Sequence, residues 1–130
     1  MSGEIVTDRT LIFQAIRPLM ARYAPPLQPR TDVEGRYELW SPGPVAVEGE
    51  KAKHVFFAGL IIQSSYVGFY FMPLAADEDR SSVFEPELLA LLKGKSCFHV
   101  KRLDDALLGQ ISAALDHGRA IWVRRGWIAA

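Results

Sequence analysis

Residues 53–72 read KHVFFAGLIIQSSYVGFYFM, two runs rich in β-branched and aromatic residues joined by a pair of serines. These residue types favour β-strands, and small polar residues between two such runs are typical of a tight connection. In the second run, a period of two places Phe69 on one face of the strand and Tyr66 and Tyr70 on the other. The stretch predicts two neighbouring strands, with both tyrosines on the face that does not meet the helices.

The sequence predicts helices on both sides of these strands. Asp8 can cap a first helix, and Pro18 lies inside its apolar pattern, where a proline is expected to kink or split the helix. Near the other end, Asp104 precedes apolar residues at helical spacing that continue to Trp122, which predicts the longest helix. A shorter helix is expected at Pro86, because a proline suits the first turn of a helix.

Two further strand regions are expected. Tyr37 and Leu39, followed by Val45 and Val47, are spaced by two around turn-forming residues, which predicts a hairpin. Residues 96–101 form another strand after the short helix. Residues 23–36 are rich in proline and charge and are expected to form a long connection.

The order of these elements predicts the fold class. Helices flank several strands joined by mostly short links, which indicates an α+β fold: an antiparallel β-sheet with N- and C-terminal helices packed on one face. The chain has 130 residues, of which 49% are hydrophobic. This length and composition suit a single domain with one core, over residues 1–130.

Charge and cysteine content exclude several classes of protein. Fifteen basic and fifteen acidic side chains give a formal net charge of zero, so attraction to nucleic acid or to an anionic membrane is not expected. The longest strongly apolar run, residues 55–62, is much shorter than the roughly 20 residues of a membrane-spanning helix. One cysteine, Cys97, and no secretory signal predict a cytoplasmic location.

The sequence lacks the motifs of common enzymes. It contains no phosphate-binding loop, no dinucleotide glycine fingerprint, no Cys-x-x-Cys pair and no His-Glu-x-x-His. Its three histidines are too scattered to form a metal site without help from carboxylates. The sequence therefore predicts a protein that is not an enzyme, with no catalytic residues, no cofactor and no metal centre.

Five residues are the candidates for ligand binding: Tyr66, Tyr70, Lys95, Cys97 and His99. Cys97 and His99 share one face of a strand, with about 7 Å between their Cα atoms, and the adjacent Lys95 and Lys101 could lower the pKa of the thiol. The two tyrosines would add a wall with two hydroxyl groups. The alternative interpretation is ordinary packing, with the thiol as a small buried side chain and the tyrosines in a sheet or dimer contact.

Two blocks of the sequence resemble a known family. Residues 53–74 read KHVFFAGLIIQSSYVGFYFMPL, and residues 91–105 read LLKGKSCFHVKRLDD. They are similar to the two signature blocks of the YdhG-like family of small bacterial domains, and the resemblance covers roughly residues 37–127. The second block is the more specific, because Gly94-Lys95-Ser96-Cys97-Phe98 leads into a strand and then a helix that starts with aspartate.

The resemblance implies a frataxin-like sheet, because one member of that family is regarded as a frataxin-like iron chaperone. We expect first a non-enzymatic domain that binds a small ligand or a protein partner. The alternative is an iron chaperone whose oxygen ligands are Asp8, Asp32, Glu34 and Glu38. The sequence departs from the frataxin pattern in its first helix, where arginines outnumber acidic residues. A redox or catalytic role for Cys97 is a third interpretation and requires an exposed thiolate.

The face of the sheet that the helices do not cover raises the question of whether the protein forms oligomers. It would expose an apolar patch of several hundred Å², formed by Phe56, Leu60, Tyr66, Tyr70 and Met72. Three occupants are available: the connection over residues 23–36, a bound ligand, or a second copy related by a two-fold axis. The sequence favours a homodimer, with a partly covered ligand cleft as the alternative.

Overall fold

The structure, a computed structural model, describes residues 5–46, 49, 51–73 and 83–129. These residues form six strands: β1 (Gln28–Val33), β2 (Arg36–Trp40), β3 (Phe56–Ile62), β4 (Val67–Phe71), β5 (Leu92–Lys93) and β6 (Cys97–Val100). They also form three helices: α1 (Arg9–Ala21), α2 (Pro86–Leu89) and α3 (Asp105–Arg124). None of the described helices combines the length and the apolar composition that a bilayer crossing requires. The strands make one antiparallel sheet in the order β1-β2-β3-β4-β6-β5.

Two aspartates set the starts of the long helices. The Asp8 side chain accepts a hydrogen bond from the N–H of Leu11, and the Asp104 side chain accepts one from the N–H of Leu107. Each bond satisfies a first-turn amide that has no partner within its helix. The predicted starts of both helices are confirmed.

α1 continues through Pro18 and ends at Ala21. Of the two effects expected of this proline, a split helix is therefore excluded, and a kink stays a prediction. The buried side chains Ile12, Ile16 and Met20 lie on both sides of Pro18 and are each 0% exposed. Because they anchor both halves of the helix in the same core, packing offsets the hydrogen bond that proline removes.

The helices cover one face of the sheet, as the sequence predicted. Phe57 and Phe69 of the sheet are fully buried beneath them. Trp122 of α3 packs edge-on against Phe57, with 5.0 Å between the ring centroids. The α+β architecture with N- and C-terminal helices packed on one face is confirmed.

The first half of the sheet differs from the prediction. β2 pairs with β1 and β3 rather than with residues 45–47, so the predicted hairpin is wrong. Val45 bridges to Lys53 within the connection between β2 and β3, and Val47 lies outside the described residues. β1 lies within residues 23–36, which the sequence predicted to be a connection. Five residues of this edge strand are exposed, so its sequence shows no apolar alternation.

β3 also departs from strict alternation. Its register with β2 shifts near Phe56, and the next two residues, Phe57 and Ala58, are both buried. The extra residue moves Phe56 to the face opposite Leu60, which is buried at 0% exposure. Placing Phe56 and Leu60 together in an exposed patch was therefore wrong, because a period of two does not anticipate an inserted residue.

Candidate binding face

We call the sheet surface opposite the helices the outer face. One cross-strand row joins Glu38, Gly59, Tyr70 and Cys97, and the next joins Arg36, Ile61, Gly68 and His99. The larger uncharged side chains of the outer face are Trp40, Phe56, Ile61, Tyr66, Tyr70, Met72, Cys97 and His99. Met72 is exposed and the others are half-buried, whereas nearly all sheet side chains beneath the helices are buried.

Tyr66 and His99 contact each other on the outer face. Their rings are stacked, with 3.8 Å between the centroids and 11° between the planes. His99 lies opposite Gly68, and Tyr66 lies two residues before that glycine on the same face. Because Gly68 has no side chain, the two rings can meet beside it. The sequence named both residues as candidates for ligand binding, and the structure adds that they share a face and contact each other.

Tyr70 and Cys97 are opposite each other in the pairing of β4 with β6. Gln63 Nε2 donates a hydrogen bond of 3.3 Å to Tyr70 Oη. Burial raises the pKa of the Cys97 thiol, although a hydrogen bond with Tyr70 acts in the opposite direction. Burial also raises the pKa of Tyr70. The prediction that lysines lower the thiol pKa is wrong, because loss of water around the thiolate outweighs other influences.

Lys95 does not share a row with the other four candidates. It is an exposed residue of the turn between β5 and β6. The lysine that lies opposite Cys97 is Lys93 of β5, whereas Lys101 follows the end of β6 at Val100. The structure thus brings the candidates together as two adjacent pairs, Tyr66 with His99 and Tyr70 with Cys97, with Lys93 beside the second pair.

Two glycines shape the outer face. A Cβ at Gly68 would lie 2.8 Å from Tyr70 Cε1, and a Cβ at Gly59 would lie 2.7 Å from Phe56 Cζ. Each ring therefore leans along the sheet over a residue that has no side chain, and a larger residue there would displace it. Sequence reasoning missed these contacts, although a glycine inside a strand pattern is a known signal of close approach.

The β1–β2 side of the outer face has its own aromatic cluster. Trp40 packs edge-on against Phe56, with ring centroids 5.4 Å apart, and donates a 3.3 Å hydrogen bond from Nε1 to Glu38. The Arg30 guanidinium lies 5.2 Å from the centroid of the Trp40 ring. Arg36 forms a 2.7 Å ion pair with Glu38. The sequence did not identify this cluster, because β1 and the register shift in β3 were not foreseen.

The described parts of two long connections have defined places in the structure. Residues 28–33 extend the sheet at its edge as β1. The connection after β2 turns toward the helices, where Pro44 and Val45 line a groove with Arg125 and Trp127. Because β1 lies at the sheet edge, the connection over residues 23–36 is excluded as the occupant, and a ligand and a second copy of the chain stay as predictions.

A second groove, of about 380 Å³, lies between α1 and the turn after β1. The charged residues that line it include Arg17 and Asp32, which form a 2.7 Å ion pair with each other. Arg17 also lies 4.6 Å from the centroid of the Tyr37 ring. Because these two charges already pair with each other, the groove is a weaker candidate than the outer face.

The four residues expected to bind iron do not form one cluster. Asp8 caps α1, Asp32 pairs with Arg17, and Glu38 pairs with an arginine of its own strand. Glu34 is in the turn between β1 and β2. Within the described ranges, no three His, Cys, Asp or Glu side chains are grouped so that they could hold a metal ion.

Comparisons of this chain with protein-family models, with curated proteins and with solved structures found no match.

Proposed function

We infer that this chain is a non-enzymatic binding domain of the YdhG-like type whose outer face receives a ligand or a partner. One observation carries this proposal. The outer face presents a continuous set of half-exposed aromatic side chains, whereas the opposite face of the same sheet is packed beneath helices. Continuous apolar patches of this kind mark interaction sites, whereas single exposed apolar residues do not.

The residue types on the outer face support the proposal. Binding surfaces are enriched in Trp, Tyr, Phe, Met and Arg. These side chains are large and contribute much contact area, and of the five only Arg is charged. Trp40, Phe56, Tyr70 and Met72 provide such side chains here. Most of them are partly held in place by the sheet, through glycines beneath the rings or by hydrogen bonds. Such preorganisation reduces the entropy lost on binding.

The outer face offers little for catalysis. Its one strong potential nucleophile, Cys97, has a raised pKa because it is partly buried. Burial raises the pKa of Tyr70, the hydroxyl next to it, as well. A protonated thiol beside a protonated phenol is suited to hydrogen bonding with a bound group rather than to nucleophilic attack. This supports the proposal of binding without chemistry.

The proposal is tested with 1-anilinonaphthalene-8-sulfonate, a planar aromatic anion whose fluorescence rises in apolar surroundings. We expect saturable binding to the native protein, weakened about tenfold by Tyr66→Ala, because the dye would lose one ring of the Tyr66–His99 pair. Leu11→Ala is the matched control, since it removes an apolar side chain that is 53% exposed on α1. Melting curves confirm that each variant is folded.

Two results would overturn the proposal. One is an absence of saturable dye binding to the folded wild-type protein. The other is equal weakening by Leu11→Ala and Tyr66→Ala, which would place the dye elsewhere or at no defined site.

The iron-chaperone alternative has no comparable observation in its favour. Two of its expected ligands, Asp32 and Glu38, are already paired with arginines. Anaerobic titration with ferrous iron separates the alternatives, and we expect no saturable binding at micromolar iron. Saturable binding that is lost in Asp32→Asn and Glu38→Gln would restore iron handling as the function.

A further inference from the structure

We propose that the outer face binds single-stranded nucleic acid, with bases stacked on its aromatic rings and phosphates held by basic side chains along its two sides. This rests on the proposed function, because it names the occupant of the same face. It departs from the expectation drawn from the zero net charge of the whole chain.

The first support is the arrangement of rings. Phe56 and Tyr70 lean over Gly59 and Gly68 and spread along the sheet. The stacked Tyr66–His99 pair lies in the next part of the face. Nucleic-acid bases stack on aromatic side chains presented in this way, and the stacking tolerates any sequence because every base has a flat π surface.

The second support is the distribution of charge. Basic side chains lie on both sides of the ring cluster: Arg30 beside Trp40 on the β1–β2 side, and Lys93 on the β5–β6 side. Arg36 and Glu38 in the cross-strand rows form an ion pair and offset each other. Arg30 and Lys93 therefore leave the described outer face locally positive although the chain as a whole is neutral, and this complements a polyanion.

The third support is the extent of the face. The rings extend from β2 to β6, three strand spacings of about 4.8 Å each, or roughly 14 Å. This distance exceeds the width of one base, so a single nucleotide would contact only part of the face. A single strand that crosses the sheet can use several rings and reach the basic residues on both sides. Duplex DNA keeps its bases stacked inside and cannot use the rings.

The zero net charge of the chain determines how strongly its affinity for nucleic acid should depend on salt. Without long-range attraction, affinity depends on stacking and on a few phosphate contacts. Each phosphate contact contributes a slope of about −0.7 to the dependence of log affinity on log salt for single strands. We therefore expect a shallow salt dependence, with a total slope of about −1.4 for two contacts.

The experiment measures fluorescence anisotropy of a labelled oligothymidine of about 15 nucleotides in about 50 mM salt. We expect saturable binding that Tyr66→Ala weakens about fivefold or more and that Leu11→Ala leaves unchanged. Lys93→Gln should reduce the salt slope by about 0.7. A duplex of equal length should bind more weakly than the single strand.

Other outcomes overturn the proposal. If the dye binds the outer face but the oligothymidine does not, the binding domain stands and its occupant is not nucleic acid. If a random copolymer of glutamate and tyrosine binds there instead, the occupant is an acidic protein segment. Equal affinity for duplex and single strand would show attraction by charge without stacking. Failure of both dye and oligothymidine would overturn the proposed function as well.

Discussion

Phe69 and Tyr70 are neighbours in β4 that meet opposite environments. Phe69 is 0% exposed between the sheet and the helices, whereas the ring of Tyr70 leans over Gly68 on the outer face. A buried charge costs several kcal/mol unless it is paired, but a charge at a half-exposed position keeps part of its water. The same substitution at these two positions therefore distinguishes the faces of the sheet.

We expect Phe69→Glu to abolish cooperative unfolding. The free energy of burying the glutamate charge is a large part of the roughly 5–15 kcal/mol by which a typical folded domain is stable. Tyr70→Glu should remain folded with a loss of about 1–2 kcal/mol from removed ring packing. Thermal unfolding followed by circular dichroism measures both. An unfolded Tyr70→Glu would show that Tyr70 belongs to the core and that β4 faces the other way.

Cys97 provides a second test at the residue scale. Because burial raises the pKa of its thiol, the thiolate fraction near neutral pH is smaller than that of a free cysteine. At about pH 8, we expect iodoacetamide to alkylate Cys97 more slowly than it alkylates the thiol of glutathione. The rate of Cys97 alkylation should rise toward alkaline pH. Tyr70→Phe removes a hydrogen bond that lowers this pKa and should not accelerate the reaction. Alkylation faster than that of glutathione would support a reactive cysteine instead.

At the scale of elements, α3 contains a matched pair of glycines. A Cβ at Gly118 would lie 2.6 Å from Phe71 Cζ and 3.0 Å from Pro73 Cβ, whereas a Cβ at Gly109 would have no neighbour within 4 Å. Alanine favours a helix over glycine by about 1 kcal/mol at either position. The difference between the two substitutions therefore isolates the close contact between α3 and β4.

We expect Gly109→Ala to stabilise the protein by about 0.5–1 kcal/mol, because only helix propensity changes. Gly118→Ala should destabilise it by about 1–2 kcal/mol, since the clash with Phe71 exceeds the gain in propensity. Urea unfolding of both variants measures these free energies. Equal stabilisation by both substitutions would mean that α3 does not approach β4 at Gly118.

The elements with strong local signals were predictable, and those without them were not. Aspartate before a run of apolar residues at helical spacing is a local signal for the start of a helix. Asp8 and Asp104 gave this signal, so the starts of both long helices were identified. β6 alternates in burial, and β4 departs from alternation only at Gly68, which the Tyr70 ring covers. β1 gives no such signal, since it is a polar edge strand, and the shift in β3 depends on its pairing with β2.

The outer face was predictable to the same extent. A period of two was enough to place Tyr66 with Tyr70 on one face of their strand, and Cys97 with His99 on one face of theirs. The contacts between them depend on how β4 and β6 align, which no local pattern specifies. The aromatic cluster around Trp40 depends on pairing with β1 and was missed. Burial reversed the expected direction of the Cys97 pKa, because exposure follows from the whole fold.

At the scale of the molecule, charge bears on the homodimer expected from the sequence. Face-to-face pairing of two copies would bring basic residues at both sides of one outer face against those of the other. Like charges in such an arrangement oppose association. We therefore expect sedimentation equilibrium at micromolar concentration and low salt to give a single species of 14.5 kDa. A dimer that Tyr70→Glu dissociates would instead confirm the assembly expected from the sequence.

The central claim is that the outer face is the binding surface, and chemical-shift mapping tests it most directly. The amides of Gly59 and Gly68 lie beneath the rings of Phe56 and Tyr70 and are sensitive to any molecule that stacks on them. In titration of ¹⁵N-labelled protein with 1-anilinonaphthalene-8-sulfonate, we expect the largest shifts at these two glycines and none at Gly109 of α3. Largest shifts at Gly126, in the groove beside Trp127, would contradict the claim.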